Sequence, residues 1–416
     1  MASGNAGVVT FGRTRQVQII TFTTLYPSAA RPQHGIFVET RLRKLVESGA
    51  VGARVIAPCP WFPFSSPKFG RYSVFAQEPY EEIRHDLHVA RPRYPQLSKI
   101  GMSTAPLALF AAALPLLRRR IREGEDFDLI DAHYFYPDGV AAVLLGNALA
   151  RPVVITARGS DLNVIAQHAI PRRWIRWAAQ RADGLIAVSS GLRRRLASLG
   201  VASERVRVLR NGVDLAMFRP VDRVAARQAL GLTRPTLLAV GNLVALKRHR
   251  LMVEALVKLT EADLVIVGEG PERAAIEALA REERVADRVR LLGHVPQQRL
   301  PDLYGAADLL VLVSTSEGWP NVLLESMACG TPTLVSDIDG IADIVAAPEA
   351  GCILRETTPD RFAAAARDLL AAPPSRAATR SYAERFDWQS TTEGQIALFY
   401  EVCGQTARCR SRAAAG

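Results

Sequence analysis

Leu309-Leu310-Val311-Leu312-Val313-Ser314-Thr315-Ser316-Glu317-Gly318-Trp319-Pro320-Asn321-Val322-Leu323-Leu324-Glu325 begins apolar, turns polar, and resumes as an apolar run led by a proline. The opening run is short and bounded by turn residues, so it reads as a fully buried strand. Pro320 stands where a first helical residue sits and Gly330 follows the last, the usual punctuation of a helix, here Asn321–Cys329. That helix is apolar on nearly all sides and is expected to be buried. Glu325 inside it is then a carboxylate in need of hydrogen-bond donors.

The same alternation of apolar run and helical segment extends in both directions. Upstream runs are Val17–Phe22, Arg54–Ala57, Leu129–Ala132, Val153–Thr156, Leu185–Val188 and Val206–Leu209; nearer ones are Thr236–Val240, Leu264–Val267, Val289–Leu292 and Thr333–Val335. Continuous apolar strands separated by helices imply parallel sheets covered on both faces, and two such blocks imply an α/β protein of two doubly wound domains. The turn-rich stretch Asn211–Pro220 predicts a boundary, with a first domain over 1–215 and a second over 216–384. Ala372 to Arg380 reads as a loop, a final amphipathic helix runs over about 385–403, and 404–416 reads as a frayed tail.

The 416 residues suit two domains better than one. The apolar stretch Pro106–Leu117 is too short to cross a membrane, and the N-terminus lacks the pattern of a secretory signal. The five cysteines, at 59, 329, 352, 403 and 409, are odd in number and scattered, so neither a disulfide framework nor a zinc site is expected and a reducing cytoplasm fits. Charge is uneven. Residues 1–215 carry 29 lysines and arginines against 16 acidic residues, and the remainder carries 23 against 25. The first half therefore suits an anionic partner. No nucleic-acid motif accompanies the charge, and none is expected as a ligand. Arg172-Arg173-Trp174-Ile175-Arg176-Trp177 reads either as an interfacial helix on anionic lipid or as a solvated basic face with its tryptophans in the core.

Ligands of open parallel sheets bind beyond the C-terminal ends of the strands. Those ends read Gly241-Asn242 with Lys247-Arg248 shortly after, Gly268-Glu269-Gly270-Pro271, Ser314 to Gly318, and Ser336-Asp337. Ribose hydroxyls are fitting donors to Glu325. The backbone N–H groups of Trp319 to Leu323, Pro320 excepted, offer a helix N-terminus to a diphosphate, and Glu317 faces whatever the diphosphate carries. Lys247 and Arg248 supply positive charge for a departing nucleoside diphosphate.

Residues 317–332, Glu-Gly-Trp-Pro-Asn-Val-Leu-Leu-Glu-Ser-Met-Ala-Cys-Gly-Thr-Pro, closely resemble the E-x7-E signature of retaining glycosyltransferases of family 4, whose fold is GT-B. The resemblance extends through Tyr26-Pro27, His34 to Val38, Asn211-Gly212-Val213-Asp214, the Gly241–Lys247 loop, Val267 to Pro271 and Ala307-Asp308. It implies Glu325 on the donor ribose, Glu317 and His133 at the reacting sugar, and Lys247, with Arg248, on the diphosphate. It implies further donor contacts from Gly35, Asn242, Gly268, Glu269, Gly270, Gly318, Trp319, Pro320, Asn321 and Val322. Arg158 and Asp161, in Thr156-Ala157-Arg158-Gly159-Ser160-Asp161, fall on its acceptor side with His133.

Three departures stand out: Asn242 where many relatives carry an arginine, Arg158 for a commoner histidine, and Asp339-Gly340 with Asp343 for a Gly-Gly and a glutamate. The resemblance implies that the final helix packs back on the first domain. It also implies transfer of a hexosyl group from a UDP- or GDP-sugar to a hydroxyl, without cofactor or metal and with retention. Asp337-Ile338-Asp339 is accordingly not expected to hold a metal. The charge favours a lipid-linked or glycan acceptor in envelope or exopolysaccharide synthesis, at the inner face of the cell membrane. A sugar-nucleotide epimerase of the same fold and a non-catalytic nucleotide-sugar-binding module are the rivals.

Overall fold

The computed structural model describes residues 15–96 and 101–414. The N-terminal residues on which the absence of a secretory signal was read, and the side chain of Cys409, lie outside the described ones. Strands in chain order are β1 (Val17–Phe22), β2 (Val51–Ile56), β3 (Cys59–Pro60), β4 (Glu81–Arg84), β5 (Leu87–Ala90), β6 (Arg93–Tyr94), β7 (Leu129–His133) and β8 (Val153–Ala157). They continue as β9 (Gly184–Ala187), β10 (Val206–Val208), β11 (Thr236–Val240), β12 (Asp263–Val267), β13 (Val289–Gly293), β14 (Leu309–Leu312), β15 (Thr333–Ser336) and β16 (Gly351–Leu354). An eight-stranded sheet has the order β10-β9-β8-β7-β1-β2-β5-β4, and a six-stranded sheet the order β13-β12-β11-β14-β15-β16.

The second sheet is parallel throughout, as continuous apolar strands require. Leu237, Ala239, Leu264, Ile266, Leu309, Val311 and Leu334 form its core with Met252, Leu256, Ile276 and Phe362 from the covering helices. Asp308, just before β14, stitches the entry to the sheet: its carboxylate accepts from the Thr236 N–H at 2.8 Å and pairs with Arg227 at 3.0 Å and Arg223. In the first sheet β1 runs parallel to β2 and β7, and β9 to β10. The hairpin β4–β5 is antiparallel. It escapes apolar patterning because β4 reads Glu-Glu-Ile-Arg; its turn, His85-Asp86, has both residues left-handed, the geometry of a two-residue hairpin loop.

Contacts divide the described chain into two compact units. One holds the residues up to His133, Pro137–Val154 and those from Gln395 onward; the other holds Tyr134–Tyr136 and Ile155–Gly394. Several sequence expectations are corrected. The segment read as a loop folds from Arg376 into a helix, Arg376–Ala383, because Ser375 caps it through the Ala378 N–H. The final helix runs Gln389–Ala414, past the limit drawn at 403. Pro320 is the N-cap and not the first helical residue, so the buried helix is Asn321–Ala328. The apolar stretch at 106–117 lies within a 22-residue helix, Gly101–Arg122, long and apolar enough by length and composition to cross a membrane. Leu109, Ala113, Leu116 and Leu117 of that helix are buried in its unit while Met102 and Leu107 are exposed. Cys59, Cys329, Cys352 and Cys403 are free thiols.

Candidate functional site

The order of the second sheet reverses between β11 and β14, and at such a switch point the two following loops part to leave a crevice at the strand ends. The loop after β11 carries Lys247 and the loop after β14 carries Glu317. The structure brings the two together: Lys247 Nζ donates to Glu317 Oε1 at 2.5 Å, with both side chains mostly shielded. Beside them the loop after β12 packs backbone to backbone on the loop after β11. Gly241 N–H donates to the Val267 carbonyl at 2.9 Å and Leu243 N–H to that of Glu269 at 2.8 Å. A Cβ on Gly268 would run into the Gly241 carbonyl oxygen and one on Gly270 into that of Leu243. The two glycines are therefore a packing requirement as much as a ligand surface. Glu269 and Asn242 are exposed at this edge.

Glu317 is also held from the other side. A Cβ on Gly318 would collide with the Arg158 carbonyl, so the Glu317-Gly318 turn lies flat on the Arg158-Gly159 backbone. The Asn163 side chain donates to the Glu317 carbonyl at 2.9 Å. Arg158 is buried and donates to Asn211 Oδ1 at 3.1 Å, and Asn211 donates to Asn321 Oδ1 at 3.2 Å, which ties the first residue of the Asn321–Ala328 helix into the same network. No side chain caps that helix; the Leu323 N–H, expected among the anion donors, donates instead to the Pro320 carbonyl at 3.1 Å, which leaves those of Asn321 and Val322, beside Trp319, suited to an anion. Arg210 stacks over the Trp319 ring at 5.9 Å.

Glu325 lies one turn into this helix. Its Oε2 accepts from the Tyr304 hydroxyl at 2.8 Å, and burial pushes its carboxyl up from 4.5 to about 7. That carboxylate is partly ionised at neutral pH and ready to accept further hydroxyl donors.

Other expected residues take different places. Arg248 is left-handed at φ 52° and lines, with His249, Arg250, Glu254 and Glu272, a separate cavity of about 330 Å³. Asp161 is fully buried and spends its oxygens on the N–H groups of Phe135 at 2.8 Å and Gly159 at 2.7 Å, holding the turn that carries Arg158. Asp343 accepts from the Ser190 N–H at 2.7 Å and Asp339 pairs with Arg194.

In the first unit, Gly35 caps the helix Ile36–Glu47 at φ 75° with its α-carbon against the Leu25 backbone. His133 is buried, its Nε2 3.1 Å from Asp131 Oδ2. That oxygen also accepts from Gln395 at 3.1 Å, and Gln395 accepts from the buried Arg41 at 2.6 Å. Burial lowers the Arg41 guanidinium to about 10.

Sequence reasoning missed Tyr304, Asn163 and the Asn211–Asn321 link. Tyr304 lies 21 residues before Glu325 on another helix, and no local spacing announces it.

Residues 222–386 match the family described as glycosyl transferases group 1, and residues 70–217 match glycosyltransferase family 4. Over 339 residues the chain is 32% identical to a D-inositol 3-phosphate glycosyltransferase of Acidothermus cellulolyticus, covering 74% of this chain and 75% of that one. It is 29% identical over 338 residues to TuaC of Bacillus subtilis (strain 168), named as a teichuronic acid biosynthesis glycosyltransferase, covering 79% and 83% respectively. Among solved structures, Anabaena Alr3699/HepE in complex with UDP-glucose is similar with a TM-score of 0.69 at 18% identity, covering 92% of this chain and 98% of that one. The chain belongs to the group 1, or family 4, glycosyltransferases and has their GT-B fold.

Proposed function

We propose that the chain transfers a hexosyl group from a UDP- or GDP-sugar to a hydroxyl of a lipid-linked or glycan acceptor, retaining the anomeric configuration and needing no metal ion. The pairing of Lys247 with Glu317 at the switch point carries this reading. Breaking the bond between sugar and diphosphate leaves negative charge on the diphosphate and positive charge on the anomeric carbon. Lys247 and the N-terminus of the Asn321–Ala328 helix are placed to serve the first. Glu317 serves the second once the diphosphate draws Lys247 away from it. Glu325, with Tyr304 filling one lone pair, accepts from the ribose. The UDP-glucose bound by the Anabaena protein supports the donor class. The resemblance gives His133 a role at the reacting sugar, and Asp131 holds its ring.

The basic excess of residues 1–215 supports an anionic acceptor or surface at the cytoplasmic face of the membrane, and the naming of TuaC for teichuronic acid synthesis supports an envelope polysaccharide. The test is transfer from UDP- and GDP-hexoses to acceptor in EDTA, with the product's anomeric configuration read by NMR. Activity with retention supports the proposal. Inversion, or strict dependence on Mg²⁺ or Mn²⁺, overturns it.

A further inference from the structure

In the second unit, the helices Ala169–Arg181 and Ser190–Ser198 border an open cavity of about 530 Å³ lined by Ala166, Arg172, Arg176, Arg195, Ser198, Leu199 and Gly200. Its size lies within the range of about 300–1,000 Å³ usual for small-ligand sites. Three guanidiniums face it and no carboxylate does, and none of the three forms an ion pair among the described residues. Arg172 and Arg176 are one turn apart, a spacing at which like charges repel.

Two of the three are nonetheless fixed in place. Arg172 donates through Nε to the Ala166 carbonyl at 2.8 Å and through one terminal nitrogen to that of Gln167 at 2.7 Å, and Arg195 donates through Nε to the Leu162 carbonyl at 3.4 Å. Those bonds hold two of the guanidiniums, and N–H groups of all three are left without a partner among the described residues' side chains and carbonyls, the Arg176 side chain making none of these bonds. Gly200, left-handed at φ 86°, completes the lining beside Arg176, whose terminal nitrogen lies at an ordinary contact distance of 3.7 Å from where a Cβ would stand. Several arginine forks converging without a counter-charge suit the several oxygens of a phosphate.

We propose that this cavity binds a phosphate-bearing anion, either a soluble phosphate compound or the phosphodiester headgroup of an anionic lipid. Trp174 and Trp177, half-buried on the same helix and packed edge to face at 5.3 Å, lie outside the cavity lining but give the helix the aromatic character of a membrane-interface element. The site stands whether or not the chain transfers sugar, since none of its residues belongs to the strand-end loops.

The experiment compares the full chain with Arg176→Gln and with Arg193→Gln, which removes the same charge from an exposed position off the cavity lining. The Arg176 side chain makes no hydrogen bond or ion pair to the rest of the described chain, so its replacement leaves the fold intact, as circular dichroism will check. Each is titrated with inorganic pyrophosphate, and with vesicles of phosphatidylcholine containing or lacking phosphatidylglycerol. Loss of one charge-assisted contact lowers affinity at least about tenfold. A tenfold loss of pyrophosphate binding in Arg176→Gln but not Arg193→Gln supports the site for a soluble phosphate. The same pattern on phosphatidylglycerol vesicles alone assigns it to a lipid headgroup. Equal effects of the two substitutions, or no effect of either, overturn the proposal.

Discussion

Replacing Tyr304 by phenylalanine removes one hydroxyl and nothing else from the nucleotide end of the site. The ring is fully buried, and Thr331 Oγ1 still donates to the Tyr304 carbonyl at 2.6 Å, so the helix Leu300–Ala306 keeps its seat. Glu325 loses the hydrogen bond that opposes its burial. A hydrogen bond to a charged group contributes about 1.5–3 kcal/mol, which raises the midpoint of Glu325 ionisation by about one to two pH units. Donor hydroxyls need the ionised carboxylate, so the donor KM of the native chain falls as pH rises through about 7. In Tyr304→Phe that fall moves to higher pH, and at neutral pH KM rises by about tenfold with kcat almost unchanged. Stability moves the opposite way with pH. A carboxyl raised from 4.5 to about 7 leaves the fold most stable below 4.5 and costs about 3 kcal/mol as pH climbs to the folded value. The assays are donor KM from pH 6 to 9.5 and urea unfolding from pH 4 to 9.5. An unshifted KM profile, or a fall in kcat with KM unchanged, refutes the reasoning.

Lys247→Ala removes the side-chain cation paired with Glu317 and should lower kcat by about 10²–10³-fold, the cost of deleting one preorganised charge donor, measured as initial transfer rate at saturating donor. Gly318→Ala drives a methyl into the Arg158 carbonyl and should destabilise the fold by about 1–3 kcal/mol in urea, with activity falling further because Glu317 is displaced. Asp308→Ala frees Arg223, Arg227 and the Thr236 N–H together and should cost about 3 kcal/mol of stability while leaving donor KM unchanged in the folded fraction, since no site residue touches it.

The sheets were legible because their strands are apolar runs of five or so residues with no competing pattern, and the switch-point loops followed from reading what comes after each run. The hairpin β4–β5 and the strand β16 were not. The first is charged, and the second begins at Gly351 with a backbone laid against Thr333. At the site, Glu317, Glu325 and Lys247 announce themselves by spacing and by position after strands. Tyr304, Asn163 and Asn211 act through contacts 21, 154 and 110 residues away in the chain, beyond the reach of any periodicity. Asp161 shows the converse: a carboxylate in a motif resembling a cleft element is occupied by backbone N–H groups.

The most direct test of the account is calorimetric titration of UDP- and GDP-hexoses into the native chain and into Glu325→Ala, with thermal unfolding in parallel. At a hundredfold excess over Kd a ligand of the native state adds about 2.7 kcal/mol of stability. The account predicts that at least one of these sugars binds the native chain, stabilises it, and loses its affinity in Glu325→Ala. Failure of every such sugar to bind, or equal affinity for both chains, would contradict it.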